Sequence, residues 1–136
     1  MLQATTISLD DAQRLIAEGI VKAREIGSLS NIAVVDSGGN LVAHVRMDGA
    51  QIGSIEHSIN KAFTSVACQS STLALGEDAQ PGRQFYGIAG SIGGRVIVFA
   101  GGIPLYFGGQ LVGGLGVSGG SAEQDQAIAE AAVTVL

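Results

Sequence analysis

The sequence predicts an α+β fold in which five antiparallel strands carry flanking helices packed on one face or edge. Two observations point to it. Runs rich in β-branched residues are separated by short glycine turns, far less than the dozen or so residues that a crossover between parallel strands requires. Long stretches with apolar residues at helical spacing stand before, between and after those runs.

The elements follow in order. Ser8 and Asp11 form a capping box with Asp in place of Glu, and Ala12, Leu15, Ile16, Gly19, Ile20 and Ala23 then recur at helical spacing until Gly27. NIAVV, the turn DSGGN and LVAHVRM read as a β-hairpin. A second helix is expected from Ser54 to Leu75, with Ile55, Ile59, Ala62, Phe63, Val66 and Ala67 on its apolar side and Glu56, Asn60 and Lys61 opposite. GEDAQPGRQFYGIAG breaks that period with Gly76, Pro81 and Gly82 and reads as a long connection, a kind of segment that often serves function. RVIVFA, PLYF and LVGGLGV are the last three expected strands, the final two joined at Gly108-Gly109. Ser121 and Gln124 form a capping box that opens a terminal helix bearing Ala127, Ile128, Ala131, Ala132 and Val133. The order α-β-β-α-loop-β-β-β-α suits a profilin-like or PAS-like domain, a single one over residues 1–136.

Hydrophobic residues make up 46% of the chain and charged residues 14%, with a mean hydropathy of +0.39. Typical soluble domains carry roughly 25% charge. So little charge cannot cover a monomer's surface, and a homo-oligomer that buries apolar surface between copies is expected. The net charge of −5, with only seven Lys and Arg, argues against nucleic acid as a partner. The opening MLQATTISLDDAQ has no basic targeting region, and no apolar run reaches the roughly 18 residues of a membrane span, so a cytoplasmic protein without a membrane partner is expected. Cys68, the single cysteine, is expected to be a small core residue.

The stretch GGLGVSGGSAEQDQ matches two catalytic patterns at once. Gly114, Gly116 and Gly119 spell a dinucleotide-binding loop, and Gly116-Val117-Ser118-Gly119-Gly120 spells the nucleophile elbow of hydrolases. A dinucleotide site needs a further parallel strand with an acid about 20 residues on, whereas only a helix follows here. The triad partners of an elbow serine normally come after it, yet His44 and His57 both precede Ser118. These glycines are better read as sites of close helix-on-sheet approach, with Ser121 as a helix cap. The same strand-to-helix turn, through Ser118, Gly119 and Ser121, presents backbone N–H groups to an anion.

In AHVRMDGA, His44 and Arg46 share one face of a strand and Met47 the other. Arg46 suits a carboxylate clamp, and Asp48 either pairs with Arg46 or caps the next turn. Two histidines and one cysteine at unrelated spacings do not make a zinc site. Haem asks for less: one axial ligand, a basic residue for a propionate and apolar walls.

Several segments together resemble a known family. IAVVDSGGNLVAHVRMDGA, NKAFTS, PGRQFYG and GGIPLYFGGQLVGGLGVSGGSAEQDQAIAEAA are similar to the GlcG/HbpS-like family, also called the haem-degrading domain, which includes the C-terminal domain of PduO-type adenosyltransferases. The combination of Arg46-Met47-Asp48, Lys61-Ala62, Pro81-Gly82, Gly101-Gly102-Ile103-Pro104 and Gly116-Val117-Ser118-Gly119 with Asp125 carries the resemblance. It implies a profilin-like fold, homo-oligomers that are often octamers, and haem or tetrapyrrole binding, sometimes with slow haem breakdown. It does not choose between the histidines.

Two functions follow as expectations. In the first, a haem-binding oligomer stores, senses or slowly degrades haem: His44 or His57 ligates iron, Met47 is a weaker candidate, and Arg46 or Lys61 pairs with a propionate. In the second, an enzyme or accessory protein acts on a small carboxylate: Arg46, Ser118, Gly119 and Ser121 hold the anion, and Asp48, Lys61 or Asp125 moves a proton.

Overall fold

A computed structural model describes residues 1–136. Helix α1 (Leu9–Ile26) is followed by strands β1 (Asn31–Asp36) and β2 (Leu41–Arg46), helices α2 (Gly53–Ala67) and α3 (Thr72–Asp78), strands β3 (Gly102–Phe107) and β4 (Gln110–Ser118), and helix α4 (Ala122–Ala132). The fold is α+β with a wholly antiparallel sheet in the order β2-β1-β4-β3.

The sheet has four strands rather than the expected five. RVIVFA, rich in β-branched residues, stays outside the ladder, and two of its backbone groups bond to helix α2 instead. The Thr64 hydroxyl donates to Arg95 O (3.2 Å) and accepts from Ile97 N–H (3.0 Å), while the Arg95 guanidinium lies 3.5 Å from the centre of the Phe63 ring. Gly76 fits against Val98 O, where a Cβ would collide. The segment is thereby strapped across the helices, and β3 remains an edge strand.

The long second helix is also two helices. The polar residues Gln69, Ser70 and Ser71 interrupt it: Gln69 takes a left-handed conformation at φ 48°, and the Ser71 hydroxyl accepts Ala74 N–H at 3.1 Å to cap α3. Serines at such a position offer the backbone an alternative to helix, which the unbroken apolar period conceals.

Helices cover both faces of the sheet rather than one. On the first, Leu15 and Ile16 of α1 and Ile128 and Ala132 of α4 pack on Ile32, Val34, Leu115 and Val117. Each of the Leu, Ile and Val side chains contributes roughly 1.5–3 kcal/mol when fully buried. On the other, Ala62 and Val66 of α2 pack on Ala33 and Val35. Small residues here bring α2 against β4: a Cβ at Gly114 would strike Ala62 O, and one at Gly116 would strike Ser58 O. Two glycines of the dinucleotide-like pattern thus serve helix-on-sheet contact. The Ser8 and Ser121 caps form as expected, the latter with a reciprocal Gln124 bond. No helix is long and apolar enough to cross a membrane.

Candidate functional site

The packing of α2 on β4 carries Lys61 inward. It lies on the side of the helix expected to be polar, yet it is only 2% exposed. Its ammonium donates to Val117 O (2.8 Å) and to Asp125 Oδ2 (3.1 Å). Asp125, in the first turn of α4, also accepts Gly120 N–H on Oδ1 at 2.9 Å. The Gly120 N–H of the strand-to-helix turn is thus taken by the protein's own carboxyl group. Burial pushes the Lys61 pKa down and the Asp125 pKa up, each opposed by attraction to the other. Gly101 makes room for the ammonium: at φ 119° it would place a Cβ 3.1 Å from Lys61 Nζ and against Val117 O.

Above this pair opens a cleft of about 510 Å³. Ser54, His57 and Ser118 are among its polar lining residues, and Leu73, Val98 and Phe99 among its apolar ones. His57, in the first turns of α2, is exposed and makes no hydrogen bond or ion pair. Ser118 ends β4 and lines the cleft, and its side chain hydrogen-bonds neither to His57 nor to Asp125. The arrangement of a nucleophile elbow with its base is therefore not assembled. Phe99, 62% exposed, is a cleft residue that the sequence conceals, because RVIVFA reads as a strand with no sign of which side chains it presents.

The remaining candidates lie apart. His44, on edge strand β2 opposite Ala33, is half-buried; its Nε2 is fully enclosed and has no partner, and burial lowers its pKa. Arg46, Met47 and Asp48 line a separate hollow of about 370 Å³ at the open edge of the sheet, together with Arg24. Arg46 and Asp48 form no ion pair. Ser121 caps α4 and is exposed outside the cleft. Cys68 is half-buried at the end of α2, with its thiol pKa raised by burial. No group of three or more His, Cys, Asp or Glu side chains is placed to hold a metal ion.

A layered α+β domain with a half-apolar cleft floored by a buried ion pair is a small-ligand-binding domain by its geometry. More particularly, the chain belongs to the family of haem degrading protein HbpS-like domains, whose model matches residues 7–134. It is similar to the Klebsiella pneumoniae protein ORFY, with a TM-score of 0.96 and 39% identity over 98% of this chain and 92% of that one. It is also similar to a structure described as a PduOC:heme complex, with a TM-score of 0.93 and 35% identity over 97% of this chain and 96% of that one. Among curated relatives, it is 37% identical to the corrinoid adenosyltransferase PduO of Citrobacter freundii over 98% of this chain, and spans only 40% of that protein's length.

Proposed function

We propose that the protein binds haem or a related tetrapyrrole in the cleft above Lys61 and Asp125, with His57 as the residue that would hold the iron. The observation that carries this reading is an imidazole free of any partner on the wall of a cleft that Leu73, Val98 and Phe99 also line. The volume falls within the roughly 300–1,000 Å³ of ligand sites, and a relative at 35% identity forms a haem complex. Haem would supply redox and oxygen chemistry at its iron; the chain supplies the ligand, the Phe99 and Leu73 wall and a fixed floor. His44 suits this role less well, because its Nε2 is out of reach unless β2 moves. Lys61 is spent on Asp125 and Val117 and so is not free to meet a propionate.

Assembly into a homo-oligomer, in the octamer range, belongs to the same reading. Large apolar side chains such as Tyr86, Phe99, Tyr106 and Phe107 are between 49% and 70% exposed, and both β2 and β3 present open sheet edges. A role in storage, sensing or slow breakdown of haem belongs to this reading, in which His57 alone would hold the iron. Action on a small carboxylate is the second reading: it uses Lys61 and Asp125, whose opposed pKa shifts at the floor of a cleft suit a proton-transfer pair.

Titration with hemin, followed in the Soret region, tests the first reading. A saturable band at one haem per site, lost in His57→Ala and kept in His44→Ala, is the expected result. Loss only in His44→Ala would move the iron to β2, and absence of any band would leave the carboxylate reading.

A further inference from the structure

The chain has seven lysines and arginines, and five of them are engaged. Arg14 pairs with Asp11, Lys22 with Glu25, Lys61 with Asp125 and Arg83 with Asp78, and Arg95 stacks on Phe63. The two cations left without an ionic or aromatic partner, Arg24 and Arg46, line the same hollow at the sheet edge. They come from different elements, the last turn of α1 and the end of β2. Arg24 suits the C-terminal end of α1, but neither it nor Arg46 meets an acid, so the two unpaired cations of an acidic chain converge on one hollow of about 370 Å³.

The rest of the hollow is apolar. Ile20, Leu29, Val45 and Met47 form its lining, with Asp48 the only acid, bonded to neither arginine. A guanidinium presents a planar fork that matches a carboxylate in two parallel hydrogen bonds. We propose that this hollow is a second binding site, for an organic anion with a carboxylate held between Arg24 and Arg46 and an apolar body laid on Ile20, Leu29, Val45 and Met47. It shares no residue with the cleft, so it stands or falls independently of haem binding.

Isothermal titration with octanoate is the direct test, with acetate (no apolar body) and octan-1-ol (no charge) as controls. Octanoate is expected to bind saturably at one per chain, and each control at least about tenfold more weakly. Arg24→Gln and Arg46→Gln should each lower octanoate affinity by at least about tenfold, the loss of one charge-assisted pair, while the Soret titration stays as in the wild type. Leu29→Asp, which sets an acid at the rim from a side chain that is 51% exposed, should abolish binding without touching either arginine. Equal binding of octanol and octanoate, wild-type binding by the double arginine variant, or no saturable binding at all would overturn the proposal. So would a shift of the double variant to a smaller species by light scattering, since the hollow would then be filled by a second copy of the chain.

Discussion

Lys61 and Asp125 stand 64 residues apart in the chain and meet at 3.1 Å, both almost wholly buried, joining α2, the end of β4 and the start of α4 in one polar joint. Removing one partner strands the other charge in a low-dielectric site. Lys61→Met and Asp125→Asn are each expected to cost about 3–5 kcal/mol of unfolding free energy, measured by urea denaturation. Lys61→Met/Asp125→Leu should cost less than the sum of the single losses, because no charge is left unpaired. Single losses under about 1 kcal/mol would show that the joint is not structural.

The glycines of β4 make a sharper steric prediction. Gly116→Ala must displace α2 from Ser58 O and Ala62 N and is expected to cost about 1–3 kcal/mol or more. Gly53→Ala, where a Cβ meets open space, should stay within about 0.5 kcal/mol. Thermal unfolding of the two variants side by side reads the difference.

Phe99 tests the cleft without testing the fold. Its side chain is 62% exposed, so Phe99→Asp should leave the melting temperature close to that of the wild type. An acid on the apolar wall should nevertheless weaken hemin binding by about tenfold or more. Unchanged hemin affinity would place the ring elsewhere.

His44 gives the protein a pH response of definite sign. Burial lowers its pKa below the ordinary 6.5, so the folded state releases this proton more readily than the unfolded chain does. Its contribution to stability is present above pH 6.5 and is lost as pH falls through the lowered value. The wild type should therefore lose melting temperature between about pH 7 and about pH 5, and His44→Gln should lose less. Equal losses in both would assign the acid response to other groups.

Assembly can be read directly. Light scattering at micromolar concentration is expected to give a homo-oligomer, and Tyr106→Lys/Phe107→Lys, which charges the exposed end of edge strand β3, should reduce its mass. A wild-type monomer would remove the explanation for the low charge content.

Local signals in the chain were legible where one segment sufficed. The Ser8 and Ser121 caps, the DSGGN hairpin turn held by Asp36 Oδ1, and the Gly108-Gly109 turn all follow from contacts within a few residues. RVIVFA misled because β-branched composition records a preference for extended backbone without recording a partner, and Thr64 rather than a strand supplied that partner. Arg46 illustrates the same limit at a site: its alternation on β2 was readable, but its neighbour across the hollow, Arg24, belongs to another element.

By itself the sequence determined the α+β class, the capped starts of α1 and α4, the hairpins, the family and the short roll of chemically capable residues, because periodicity, capping and glycine placement act over a few residues. Tertiary structure alone decided that Lys61 lies inward against Asp125, that His57 opens on a cleft while His44 Nε2 is enclosed, and that the two free arginines share a hollow. Burial and pairing are set by which surfaces meet when α2 closes on one face of the sheet and α1 and α4 on the other, and that information lies between elements, not within any one of them.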